Sequence, residues 1–117
     1  MEYSRSERSE TAVIPKKNSR NNTTIPTIQS RVIISGKVQG VGFRAATLQQ
    51  AKQYPQILGF VTNLPDGRVE ALFAGNGADV LSMVAWCQKG PSSAQVTHLE
   101  VKEEQLDFSL KPFHIQS

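Results

Sequence analysis

The chain has 117 residues, of which 38% are hydrophobic, and it has a net charge of +3, one cysteine and two histidines. This length fits one domain, and a single cysteine excludes an internal disulfide and a thiolate metal cluster. No run approaches the ~20 apolar residues of a membrane span, and the N-terminus lacks the apolar stretch of a secretion signal. We therefore expect a cytoplasmic protein with no metal, no cofactor and no membrane partner.

Residues 1–30 differ in composition from the rest of the chain. They are rich in Ser, Thr, Asn, Arg and Glu and hold almost no large apolar side chains. Such a segment cannot bury enough apolar surface to offset the entropy lost on ordering. We expect a disordered leader over residues 1–30 and one folded domain over residues 31–117. Most of the positive charge lies in the leader, so the nearly neutral domain does not favour a nucleic-acid partner.

Strand and helix patterns begin at Arg31. The β-branched run Val32-Ile33-Ile34 predicts a buried strand, and the glycine-rich stretch after it predicts a loop. Apolar spacing over residues 43–54 predicts a helix that ends at Pro55. Two strands, over residues 59–64 and 68–74, flank the turn Pro65-Asp66-Gly67 and predict a hairpin.

A second helix is predicted over residues 79–88 and a fourth strand over residues 95–102. The order strand, helix, strand, strand, helix, strand predicts a ferredoxin-like α+β fold, written βαββαβ, with both helices on one face of an antiparallel sheet. A short fifth strand at a sheet edge is a further expectation, over residues 108–111.

The loop before the first helix has the composition of an anion site. Three glycines occur between Gly36 and Gly42, and Arg44 follows in the first turn of the predicted helix. Glycines allow backbone N–H groups to converge on one point, the helix N-terminus adds free N–H groups, and a guanidinium adds a bidentate contact. These features indicate a site for a tetrahedral anion such as a phosphoryl group, although a plain glycine loop with a solvated arginine has the same pattern.

Asn63 precedes the turn Pro65-Asp66-Gly67 near the end of a predicted strand. A carboxamide can orient a water molecule and also contact phosphate oxygens. An asparagine in this position can equally serve as a turn former. The pattern alone leaves both roles open.

The loop and Asn63 belong to a longer series of segments in a fixed order: Gly36–Arg44, Gly59–Asn63, Asp66–Glu70, Trp86 and Gly90–Val96. With this series the chain resembles the acylphosphatase family over residues 31–111. The most specific part is the string Val38-Gln39-Gly40-Val41-Gly42-Phe43-Arg44.

The resemblance implies hydrolysis of acyl phosphates by direct attack of water on phosphorus, without a metal or a covalent phosphoenzyme. It implies that Arg44 binds phosphate and that Asn63 orients the water. The implied backbone cradle for the phosphate is formed by Gln39, Gly40, Val41, Gly42 and Phe43. The expected partners are a small-molecule acyl phosphate and inorganic phosphate, the latter as product and inhibitor, and the enzyme is expected to act as a monomer.

Two other classes of function fit the predicted fold. A phosphate-binding or regulatory module would keep the cradle without turnover, because this fold hosts many functions. An RNA-binding sheet would need exposed aromatic side chains for base stacking, and aromatic residues make up only 7% of the chain. The presence of both Arg44 and Asn63 favours the enzyme.

Overall fold

The computed structural model describes residues 26–117, which form two helices and a five-stranded sheet. The elements are β1 (Thr27–Lys37), α1 (Phe43–Ala51), β2 (Leu58–Asn63), β3 (Val69–Asn76), α2 (Gly77–Cys87), β4 (Gln95–Glu104) and β5 (His114–Ile115). The strands lie in the order β4-β1-β3-β2-β5. The predicted ferredoxin-like α+β fold, with both helices packed on one face of the sheet, is confirmed.

Alternating side chains of the central strands form the core beneath the helices. Val32 and Ile34 of β1 and Val69, Ala71 and Phe73 of β3 are fully buried. This period of two is expected where one face of a strand packs against helices. Burial of each large apolar side chain contributes about 1.5–3 kcal/mol, so this face of the sheet fixes the register of the strands.

Both helices bury the side chains that the apolar spacing of the sequence predicts. Phe43, Thr47 and Ala51 are the buried residues of α1, and the thiol of Cys87 lies buried at the end of α2. Burial raises the pKa of the Cys87 thiol to about 12, because the uncharged form is favoured away from water. Cys87 is therefore a packing residue and not a nucleophile.

The first strand begins at Thr27, four residues before the predicted domain boundary at Arg31. Residues 27–30 pair with the end of β3, where Ser30 lies opposite Phe73. Gln29 is buried although it is polar, because its Oε1 accepts a hydrogen bond from the Asp107 N–H at 2.8 Å. Residues 27–30 are mostly polar, so the sequence pattern does not indicate this strand. The burial of Gln29 is favourable because of its tertiary hydrogen bonding. The predicted disorder of the remaining leader, residues 1–25, lies outside the described residues.

The fifth strand is also displaced from its predicted position. Residues 108–111 form no strand, because the Asp107 carboxylate accepts hydrogen bonds from the Ser109 N–H and hydroxyl and closes a turn. Phe108 is 90% exposed at the tip of this turn. The strand forms instead at His114–Ile115 and runs parallel to β2, so the sheet is mixed and not wholly antiparallel.

Arg31 holds three strands together on the sheet face opposite the helices. Its guanidinium forms ion pairs with Glu70 of β3 and with Glu104 of β4. The hydrogen bond from Arg31 lowers the pKa of Glu104. A carboxyl whose pKa is lower in the folded state stabilises the fold above its ordinary pKa, and this contribution is lost as the pH falls through the folded-state value.

We expect Glu104→Gln to lower the free energy of unfolding at pH 7 by ~0.2–1 kcal/mol, the usual range for an exposed ion pair. The difference from the wild type should shrink as the pH falls below 4.5, the ordinary pKa of this glutamate. Urea unfolding at several pH values measures it. Glu103→Gln is the matched control, because the neighbouring Glu103 forms no ion pair within residues 26–117. An equal, pH-independent loss in both variants would contradict the assignment.

Candidate active site

The loop from Gln39 to Gly42 connects β1 to α1 and leaves its backbone N–H groups free. Gly40 and Gly42 have φ values of 73° and 79°, in the left-handed region that side chains disfavour. Gly42 is the N-cap of α1 and provides no side-chain cap. Within residues 26–117, no backbone N–H from Gly40 to Ala45 donates a hydrogen bond. These donors, at the positive end of the helix dipole, form a cradle suited to an anion.

The topology of the sheet brings Asn63 to this cradle. Strands β1 and β2 both run antiparallel to β3, which lies between them. They are therefore parallel to each other, and their C-terminal ends lie at the same edge of the sheet. The cradle follows β1 and Asn63 ends β2, so residues far apart in sequence meet at that edge.

The Gln39 side chain joins the cradle to the β2–β3 turn. Its Nε2 donates to the carbonyl oxygens of Leu64 and Arg68, at 2.8 Å each. Leu64 directly follows Asn63, so the clamp fixes the backbone next to the asparagine. The turn itself is held by the Arg68 guanidinium, whose hydrogen bond to Asp66 lowers the pKa of that exposed carboxyl.

The carboxamide of Asn63 carries the one buried side-chain polar atom of residues 26–117 that lacks a hydrogen-bond partner, Oδ1. Buried acceptors in folded proteins are nearly always paired. Asn63 lines a cavity, so its unpaired acceptor suggests a donor from a bound molecule, and a water molecule is such a donor.

Arg44 lies in the first turn of α1 and is half-buried. Its side chain forms no ion pair or hydrogen bond with another residue of the described range 26–117. Its guanidinium is therefore free to bind an anion with its planar fork.

One cavity of about 210 Å³ joins these groups. It is lined by Val38, Gly40, Gly42, Phe43, Arg44, Ala45, Asn63 and Ile115. No lining side chain is a carboxylate, a thiol or an imidazole. The residues of its wall provide a cation, free N–H donors and a carboxamide, a set that suits a tetrahedral anion with a bound water molecule.

Most residues that the sequence singled out line this cavity, and two do not. Gly40, Gly42, Phe43, Arg44 and Asn63 contribute to its wall. Gln39 and Val41 are absent from the wall: the Gln39 side chain binds the β2–β3 turn, and the half-buried Val41 packs against the hydrophobic core.

Sequence reasoning missed Ile115. It enters the cavity wall because β5 pairs with β2, where Ile115 lies opposite Val61 and the Gln116 N–H donates to the Val61 oxygen at 2.9 Å. The two-residue strand has no periodicity of its own, so no pattern in the sequence indicated it. A second cavity, of about 190 Å³, lies against Leu48, Tyr54 and Phe113 and contains none of the predicted site residues.

Comparison with known proteins identifies related chains. The family model "Acylphosphatase" matches residues 30–115. An acylphosphatase of Chloroflexus aurantiacus is 49% identical over 78 residues, which cover 67% of this chain and 84% of that protein. One from Syntrophus aciditrophicus is 46% identical over 84 residues, which cover 72% and 86% of the two chains. The crystal structure of acylphosphatase from Bacillus subtilis superposes with a TM-score of 0.72 at 34% identity and covers 77% of this chain and 99% of that one.

No helix within residues 26–117 has the length and apolar character needed to cross a membrane.

Proposed function

Because this chain belongs to the acylphosphatase family and is thus a hydrolase of acyl phosphates, we propose how its residues perform that reaction. Water attacks phosphorus directly, without a metal and without a covalent phosphoenzyme. The observation that carries the proposal is that Arg44, cradle residues with free N–H groups, and Asn63, whose Oδ1 is unpaired, line one cavity.

The cradle and Arg44 bind the phosphoryl group. The free N–H groups of Gly40, Gly42 and Phe43, which line the cavity, donate to its oxygens, and the Arg44 guanidinium donates through two parallel N–H groups. Phosphoryl transfer spreads charge over these equatorial oxygens in the transition state. Donors that are already aimed at the developing charge lower the barrier without reorganising.

Asn63 orients the attacking water. Its Oδ1 accepts a hydrogen bond from the water, and this fixes one lone pair of the water toward phosphorus. The strand pairing of Asn63 with Val69 and the clamp from Gln39 to Leu64 hold the asparagine relative to the cradle. Holding the water and the phosphoryl group in the correct geometry removes a large entropic part of the activation barrier.

The bonds balance without a side-chain acid or base. A bond forms between the water oxygen and phosphorus, and the bond between phosphorus and the acyl oxygen breaks with its electron pair. The leaving carboxylate is the base of an acid with a pKa of about 4, so it departs without protonation. The proton of the attacking water passes to a phosphate oxygen of the substrate, and the products are a carboxylate and inorganic phosphate.

The metal-free reaction predicts that chelation has no effect. We expect hydrolysis of benzoyl phosphate to proceed at the same rate with and without excess EDTA, since the cavity wall offers no carboxylate, thiolate or imidazole to a metal. Inorganic phosphate should inhibit competitively, because it fills the same cradle as the substrate. A loss of activity in EDTA that a divalent ion restores would overturn the mechanism.

The same assay separates the enzyme from a phosphate-binding module without turnover. The module would bind inorganic phosphate, and benzoyl phosphate would hydrolyse only at its uncatalysed rate.

The expected monomer and the expected cytoplasmic location stay predictions. The mass of the purified chain in solution tests the expected monomer.

A further inference from the structure

Ser93 contacts the cradle from a different part of the chain. It lies in the loop between α2 and β4, and its Oγ donates a hydrogen bond of 2.7 Å to the carbonyl oxygen of Val41. Ser93 is exposed and does not line the cavity. It belongs to the segment Gly90–Val96, to which the proposed mechanism gives no role.

The orientation of the Val41 carbonyl, which accepts this hydrogen bond, determines the orientation of the Gly42 N–H group. The carbonyl of Val41 and the N–H of Gly42 share one planar trans peptide unit and point in opposite directions. Because the carbonyl points toward Ser93, the Gly42 N–H points away from it. Gly42 lines the cavity and Ser93 does not, which supports an orientation of this N–H toward the cavity.

We propose that Ser93 is a positioning residue that aims the Gly42 N–H at the phosphoryl group. This inference rests on the proposed function, because it assigns a support to one of the donors of the cradle. Such a support is needed because glycine tolerates both orientations of the preceding peptide, and Gly42 already has a positive φ of 79°. Without an external hydrogen bond, rotation of the Val41–Gly42 peptide would turn a carbonyl oxygen toward the anion.

The loop that carries Ser93 packs against Phe43, the first residue of α1. Gly90 lies so close to the Phe43 ring that a Cβ at this position would come within 2.4 Å of Phe43 Cε2. The rings of Phe43 and Trp86 are 5.6 Å apart at 58°, and the Ala94 N–H donates to the Pro91 oxygen at 3.0 Å. These contacts hold Ser93 at a fixed place relative to the cradle.

The test compares Ser93→Ala with two other variants. Ser92→Ala is the matched control, since Ser92 is also exposed and its side chain makes no hydrogen bond within residues 26–117. Ser93→Thr restores the hydroxyl. The readouts are the kinetics of benzoyl phosphate hydrolysis, the dissociation constant of inorganic phosphate, the thermal midpoint, and the amide signals of Gly40 and Gly42 in a titration with phosphate.

In the wild type, saturating phosphate should move both amide signals downfield, as expected for N–H groups that donate to an anion. In Ser93→Ala we expect the Gly42 shift to be largely lost and the Gly40 shift to remain. We also expect kcat/KM to fall about five-fold and phosphate to bind about five-fold more weakly, the effect of one ordinary hydrogen bond. The thermal midpoint should match that of Ser92→Ala, and Ser93→Thr should restore the Gly42 shift and the rate.

Two other results have distinct meanings. If phosphate moves neither amide signal in the wild type, the cradle itself, and with it the proposed function, is wrong. If the wild type responds and Ser93→Ala gives the same Gly42 shift and the same phosphate affinity, the positioning role of Ser93 is wrong while the cradle stands.

Discussion

Replacing Arg44 with lysine is expected to lower kcat/KM for benzoyl phosphate by roughly 10³-fold, equivalent to about 4 kcal/mol of transition-state stabilisation. Lysine keeps the positive charge but loses the planar fork that binds two phosphate oxygens at once. We expect weaker competitive inhibition by inorganic phosphate as well, because the guanidinium binds the ground-state anion too. Steady-state kinetics with phosphate as the inhibitor measure both effects.

Arg68→Lys is the matched control for this substitution. Arg68 lies on the β2–β3 turn near the site, but its guanidinium binds Asp66 and does not line the cavity. Its backbone oxygen, which accepts the hydrogen bond from Gln39, is unchanged in the variant. Its kcat/KM should therefore remain close to that of the wild type. Near-normal phosphate inhibition in Arg44→Lys would show that the N–H cradle alone supplies the binding and that Arg44 has another role.

The second large effect is expected for Asn63→Ala, which should lower kcat by roughly 10²-fold, or about 3 kcal/mol. The unpaired Oδ1 of Asn63 is the acceptor that we assign to the attacking water. Its contribution belongs to the transition state, so the affinity for inorganic phosphate should change far less than kcat. Removal of an unpaired buried acceptor should also leave the fold as stable as before, or more so.

Asn76→Ala is the control that separates this role from that of a structural asparagine. Asn76 is the N-cap of α2, and its Oδ1 accepts hydrogen bonds from the Ala78 and Asp79 N–H groups. Its loss should cost about 1 kcal/mol of stability with little change in kcat. If Asn63→Ala behaves like Asn76→Ala, losing stability and keeping its turnover, then Asn63 is a turn former and the water lacks a residue to orient it.

The regular elements could be predicted from the sequence because each contains a local apolar pattern between loop or turn residues. The β-branched run Val32-Ile33-Ile34 predicts the first strand, and the helical spacing of Phe43, Thr47 and Ala51 predicts the buried face of the first helix. The meeting of the cradle with Asn63 could also be expected, because in the βαββαβ order β1 and β2 flank β3, run antiparallel to it and are therefore parallel to each other.

The remaining features depend on tertiary contacts that leave no local pattern. The start of β1 at Thr27 depends on the hydrogen bond between Gln29 and Asp107. The position of β5 depends on which edge of β2 remains open, and two residues are too few to show a period of two. The roles of the Gln39 and Ser93 side chains depend on carbonyl groups 25 and 52 residues away. Sequence spacing cannot identify such partners.

The central place of β1 in the sheet has a consequence for the order in which the enzyme forms. β1 pairs on one side with residues 69–76 and on the other with residues 95–104, and within residues 26–117 it pairs with no strand that is adjacent to it in sequence. Closing such long loops is slow, because the chain loses conformational entropy before the stabilising contacts between the strands form. The cradle begins where β1 ends, so it cannot take its shape ahead of these distant pairings. Recovery of turnover after dilution from denaturant therefore follows the global folding rate and not that of a local loop.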